Sequence, residues 1–256
     1  MTVAGDGAPY GEDAERTARL QRARIARELT AAVSGVPPGA MPEALCRACV
    51  ALLPDVSGLS TSLAGPDEGA GVVLFASDEV ASLLAEMQFT LGEGPSAQAL
   101  RLRVPVLAAD LMHGPDAGRW PLFAVQAAKA GVQAVFSVPL PGAAGPLGTL
   151  DLYRDTAGGL EKDHLRTALL VADALTLAVS VLDHASTDTS DVVTWLESAE
   201  SDREEIHQAT GMIMVQLGVS AEEALLRLRA RAFAQETTAT EVARAIIDRT
   251  TDIRHD

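Results

Sequence analysis

Cys46 and Cys49 stand in the order C-R-A-C, a spacing at which two thiols can exchange a disulfide or begin a zinc site. No second cysteine pair exists and no histidine lies close in sequence, so four zinc ligands cannot be assembled locally and no metal is expected. Around the pair, Met41, Leu45, Ala48, Cys49, Leu52 and Leu53 recur at helical spacing, which places Cys49 on an apolar face and favours a packed thiol. A different chemistry is available in HQATGMIMVQLGVSAEEALLRLRARAF (207–233). There Arg227 and Arg231 lie one helical turn apart and point outward, and Arg244 further on stands opposite Val242 and Ile246. Outward guanidinium groups either remain solvated, as when Arg231 pairs with Glu223 or another nearby acid, or grip phosphates and base edges of RNA. The residues alone leave both readings open.

No GxSxG, P-loop, HExxH or dinucleotide fingerprint occurs. LGEGPS (91–96) has glycines but lacks the lysine and spacing of a phosphate cradle, and it reads as a loop packed on a sheet. Glu93 within it is one carboxylate, not a catalytic pair. No catalytic residue is assigned and no enzyme is expected.

The chain has 256 residues, enough for one large or two small domains, and a formal net charge of −15. That acidity argues against nonspecific coating of DNA and against attraction to anionic membranes. A local binding face is still compatible with it, because charges beyond about 10 Å are largely screened. Between 201 and 256, seven arginines face ten Asp or Glu, a net of −3 against −12 for the remainder. The most apolar run, LRTALLVADALTLAVSVL (165–182), is broken by Arg166 and Asp173 and reads as a buried helix, not a membrane span. The first twenty residues lack the basic and apolar regions of a signal peptide. The expectation is a cytoplasmic protein with no membrane partner.

These residues need elements to hold them. Residues 1–11 read as disordered, and a helix is expected from Glu12 to Val33, stopped by SGVPPG (34–39). After the cysteine helix come short strands at 59–65 and 71–77, a helix from Asp78 to about Met87, a strand at 104–111 and a helix at 119–131 closed by Gly131. AVFSVPL (134–140) and LGTLDLYR (147–154) form a strand pair, and a long helix runs from about Glu161 to Leu182. This order predicts an α+β domain with helices against a central antiparallel sheet. The polar stretch HASTDTSD (184–191) marks a boundary, dividing the chain into 12–184 and 185–256.

The second part reads as an all-α trio. Its first helix starts near Asp191 or Ser201 and ends at Leu217 with Gly218 as its C′ residue. Ser220 with Glu223, and Thr238 with Glu241, make capping boxes for the next two helices. Ile206, Ala209, Ile213 and Leu217 line one face of the first helix, while Gln208, Gly211, Met212 and Val215 turn the other way. Leu225, Leu228 and Ala232 are expected in the core. The small apolar second face of the first helix suits either burial within the domain or a subunit contact through Gly211.

IHQATGMIMVQLGVSAEEALLRLRARAFA together with TEVARAII resembles an ANTAR domain, the three-helix RNA-binding module of bacterial transcription antiterminators. Ala209, Gly211, Ala224, Leu228, Arg229, Ala232, Val242 and Ala243 fall in its pattern. Thr210 stands where the family often has lysine, which removes one cationic contact. The upstream unit is similar to a GAF domain of the actinobacterial GAF–ANTAR regulators, through LGEGP (91–95), PVLAADL, RWPLF (119–123), GVQAVFSVPL and LGTLDLY. Ser96 occupies a position where some relatives carry cysteine, so a thiol switch is unavailable there.

The resemblance implies an RNA-binding antiterminator that acts as a homodimer on stem-loops of nascent transcripts and is regulated through its GAF sensor. RNA contact would use His207, Gln208, Thr210, Gly211, Arg227, Arg231 and Arg244. GAF folds commonly hold a small-molecule effector between sheet and covering loops. Phe75, Glu93, Trp120, Phe123 and Phe136 are the candidate lining of such a pocket, with plain core packing the other reading of the aromatics; no cofactor is assigned. If the helices beginning near 161 and 191 stack end to end, a shift in the sensor would reorient paired ANTAR units. Two other readings stay open: a DNA-binding regulator, and a dimerisation or protein-interaction module without nucleic-acid binding.

Overall fold

Among the described residues five strands form one antiparallel sheet in the spatial order 70–76, 58–64, 148–154, 134–140 and 106–108, with helices on both faces. The computed structural model describes residues 10–37, 40–64, 70–143, 145–185 and 190–250. In chain order the elements are α1 (Tyr10–Val33), α2 (Met41–Leu52), β1 (Gly58–Ala64), β2 (Ala70–Ala76), α3 (Glu79–Leu91), α4 (Pro95–Leu102), β3 (Val106–Ala108) and α5 (Pro121–Lys129). They continue with β4 (Ala134–Leu140), β5 (Gly148–Arg154), α6 (Lys162–Ala185), α7 (Ser190–Leu217), α8 (Ala221–Ala234) and α9 (Ala239–Ile247). The expected disordered stretch 1–11 is corrected at its end, because helix already begins at Tyr10; residues 1–9 lie outside the described residues. Half of the expected joint at 184–191, residues 186–189, is likewise outside them, and what is described of it is the end of α6 and the start of α7.

The sheet's period of two sorts side chains between two cores. Leu150 and Leu152 of β5 join Leu59, Phe136, Val138 and Leu140 beneath α1, α2 and α6. On the other face Val106, Ala108 and Val135 pack with Leu84, Ala99, Trp120, Phe123 and Ala127 from α3, α4, α5 and the loop before α5. Each fully buried large apolar side chain contributes about 1.5–3 kcal/mol.

Two boundaries differ from expectation. α3 extends to Leu91, one turn beyond Met87, and ends on Gly92 in the left-handed region at φ 64°. LGEGPS is not a continuous loop, because Pro95 opens α4. Proline at the first helical position gives up only an N–H that has no helical partner there, so the helix starts at no cost.

In the helical trio Ala209, Ile213, Ala224, Leu228, Ala232, Val242, Ala243 and Ile246 form a third core. Ala224 takes the place expected for Leu225, which is only half-buried. Thr238 and Glu241 make the full reciprocal capping box at α9. At α8 the box is half made. Ser220 Oγ accepts from Glu223 N at 3.2 Å, but the Glu223 carboxylate turns forward to Arg227 instead of back to the cap. Among the described residues no helix is long and apolar enough to cross a membrane.

Candidate functional site

The arginines expected to face solvent differ from one another. Arg227 is about half exposed and holds Glu223 through Nε at 3.2 Å and Nη2 at 2.6 Å. Arg244 pairs across helices with Glu205 at 2.7 Å and is 52% exposed. Exposed pairs of this kind are worth about 0–1 kcal/mol, so a phosphate can replace the carboxylate at little cost. Arg231 is corrected: it is half-buried, with Nε shielded from solvent, and the acid Glu223 expected near it belongs to Arg227.

On α7, His207 and Gln208 are exposed. Thr210 does not join them at the surface. It is buried, and its hydroxyl donates to Ile206 O at 2.7 Å, the back-bonding that threonine adopts inside helices. Around Gly211 the space where a Cβ would stand is open, so another molecule's backbone could approach there. Val215 on the same side is 87% exposed, so that face is not covered by the domain's own core at this point.

The five candidate sensor residues do not line one pocket. Phe75 and Phe136 belong to the core under α1, α2 and α6. Trp120 and Phe123 pack on the opposite face of the sheet, which separates the two pairs. Glu93 serves the local backbone. Its Oε1 accepts from Leu122 N at 2.8 Å and Phe123 N at 3.0 Å, capping the free N–H groups that open α5.

A polar cluster that the sequence reading missed lies on the α3–α4 face. Asp151 of β5 is directly flanked by Ser60 of β1 and Ser137 of β4, with Thr149 and Ser62 paired two residues along. All five are buried. Thr149 Oγ1 donates to Asp151 Oδ2 at 2.9 Å and shares a 2.9 Å bond with Ser96 Oγ from α4. Ser96 N donates at 2.7 Å to Oε1 of Gln88, a fully buried residue of α3. Burial pushes the Asp151 carboxyl up to about 6, against the opposing pull of the Ser137, Thr149 and Ser96 hydroxyls. Ser137 is close enough to exert that pull, yet neither its Oγ nor Asp151 Oδ1 reaches hydrogen-bond geometry with any described residue. Gln88 Nε2 is also buried without a partner among the described residues. The available signal was a register of hydroxyl residues in LSTSLAG, AVFSVPL and LGTLDLY, legible only once the strand pairing is known.

Cys46 and Cys49 are both buried free thiols. Burial, the largest influence on each, raises them to about 11 and 12, which removes the thiolate needed for exchange or metal binding. Among the described residues no group of three or more His, Cys, Asp or Glu could hold a metal ion.

The GAF domain model matches residues 40–180, more than half of the chain, and the ANTAR domain model matches 195–247. The class is therefore a sensor domain followed by a regulatory output module. The chain belongs to the GAF domain family and, with its ANTAR domain following, has the arrangement of a GAF–ANTAR regulator. No curated protein matches it. Similar solved structures include the GAF domain of a phosphoenolpyruvate-protein phosphotransferase from Coxiella burnetii, at 15% identity over 66% of this chain and 96% of that one, with a TM-score of 0.49. The corresponding GAF domain from Acinetobacter is 12% identical over 67% and 96%, with a TM-score of 0.48. A type II free methionine-R-sulfoxide reductase from Thermoplasma acidophilum is 15% identical over 56% and 92%, with a TM-score of 0.37.

Proposed function

We propose that the chain is an RNA-binding transcription antiterminator regulated through its GAF sensor. In this reading it acts as a homodimer in the cytoplasm, binding stem-loops of nascent transcripts and so preventing a terminator hairpin from forming. The sensor spans 12–184 and the RNA-binding unit 185–256. The observation that carries the reading is the ANTAR match on a three-helix unit whose Arg227 and Arg244 stand at the surface in readily exchanged ion pairs. His207 and Gln208 add exposed hydrogen-bonding groups on α7. A small-molecule effector enters this reading at the Asp151 face, where buried polar atoms of Asp151, Ser137 and Gln88 lack partners among the described residues, and not at the divided aromatic set.

The test is a gel-shift titration of the full chain with a two-hairpin RNA across salt concentrations. Binding should weaken with salt, and Arg227→Ala and Arg244→Ala should each lower the slope of log K against log[salt] by about 0.7–0.9, the value of one phosphate contact. Equal preference for a matched duplex DNA would favour a DNA-binding regulator. No binding to either would leave a dimerisation module.

A further inference from the structure

The end of α3 belongs to two cores at once. Gln88 points into the sensor, where its Oε1 takes the Ser96 N–H. The next residue, Phe89, packs against the core of the ANTAR unit, and Arg229 of α8 lies over its ring with the guanidinium carbon 4.8 Å from the centroid. Thr90 is buried and its Oγ1 accepts the N–H of Ala239 at 3.2 Å, so a sensor side chain satisfies one of the free N–H groups that open α9. At about 100° per residue, three consecutive positions can face the sheet, α8 and α9 in turn. The unit also meets the sheet through α7, which runs beside the edge strand β2.

We propose that the α3 end is a docking surface for the RNA-binding unit of its own chain, and that the docked arrangement is the state of low RNA affinity. The inference rests on the RNA-binding reading above. Docking commits the Arg229 cation to an aromatic face and keeps it from phosphate. It also holds a module of net charge −3 against a remainder of −12, whose field repels a polyanion approaching within a Debye length of about 8–10 Å. The hold is tied to the sensor's interior through the chain Asp151–Thr149–Ser96–Gln88. Gln88 lies against Gly94, filling the space that a Cβ there would take, and its Oε1 is held by the Ser96 N–H. A change in the polar cluster therefore moves the α3 end as a piece, and Phe89 and Thr90 move with it.

The experiment uses the full chain in three forms, wild type, Phe89→Ala/Thr90→Val and Phe89→Leu, with a two-hairpin RNA as probe. Hydrogen exchange at α8 and the start of α9 reports docking, and a gel shift at fixed salt reports affinity. The double variant should exchange faster at the Ala239 amide with the protection of β1, β4 and β5 unchanged, and should bind RNA about tenfold more tightly, within the usual range of coupling between sites. Phe89→Leu keeps apolar packing and removes the ring beneath Arg229, so it should fold as wild type and bind more tightly by a smaller factor. Unchanged exchange in both variants would overturn the docking. Faster exchange with affinity equal to or below wild type would overturn the restraint on RNA. Faster exchange with no RNA bound by any form would instead sink the RNA-binding reading on which the restraint depends, and leave the docking contact standing.

Discussion

Replacing Asp151 by asparagine should stabilise the protein, and by an amount that depends on pH. The carboxyl is buried among hydroxyl groups and its ionisation is pushed from 3.8 up to about 6, chiefly by burial. A folded-state value above the unfolded one means that the folded chain holds the proton more tightly. The aspartic acid therefore favours folding fully below its unfolded value, and that contribution is lost as pH rises through the folded value. A rise of about two pH units at about 1.4 kcal/mol each amounts to a loss of about 3 kcal/mol by pH 8, only a small part of which has been lost at pH 4. Asparagine keeps the shape and can still accept from Thr149, but carries no charge at either pH. The variant should thus gain about 3 kcal/mol on wild type at pH 8, or about 6–12 °C in melting temperature, and almost nothing at pH 4. Thermal unfolding followed by circular dichroism at pH 4, 6 and 8 measures this. A variant less stable than wild type by the same margin at all three values would refute the reasoning, since it would mean that the carboxylate is satisfied as an anion.

Three further outcomes follow from capping, backbone geometry and burial. Thr238→Ala removes the Oγ1 that accepts the Glu241 N–H and should cost about 1 kcal/mol in denaturant unfolding, as should Ser220→Ala at α8, since the reciprocal Glu241 contact is to the Thr238 backbone N–H and survives. Gly94→Ala combines a φ of 141° with a Cβ placed 2.5 Å from Gln88 Oε1, and should destabilise the sensor by about 1–3 kcal/mol or more on the same measurement. Cys46 and Cys49 should resist a thiol-specific disulfide reagent at pH 8 in the native state and react at once in denaturant, because burial raises both thiols far above that pH.

Those positions mark where the sequence was legible. The strand pair at 134–140 and 148–154 follows from two apolar-rich runs around the turn PGAAGP, and the trio from helical period, glycine stop and caps, all local signals. Pro95 is local too, but flanked by glycines it reads as a loop unless its preference for the first turn is weighed. Asp151 is harder. Alternation in GTLDLYR puts it opposite Leu150 and Leu152, which on a sheet with one wet face means solvent. Here α3, α4 and α5 cover that face, so the same alternation buries it. The aromatics erred in the reverse sense: Phe75, Phe136, Trp120 and Phe123 share a composition but not a side of the sheet, and side is fixed by register, which no single segment contains.

The extra turn of α3 shows the same limit with a consequence for regulation. Read alone, EVASLLAEMQFTL is an amphipathic helix whose last residues, Phe89 and Thr90, have no evident partner. Their partners are some 140 residues away, in α8 and α9. A domain boundary drawn near 185 by composition treats such residues as sensor surface, although Phe89 is energetically part of the output core. Coupling between the two units then need not pass through the chain that joins α6 to α7. The interface offers a shorter route: Gln88, bonded to Ser96 of the polar cluster, stands two residues before Thr90, which takes the N–H of Ala239 in the first turn of α9. Cutting the chain at the boundary would therefore remove a piece of the output module's packing along with its regulator, and a fragment of 190–256 should be less stable than the same residues within the whole chain.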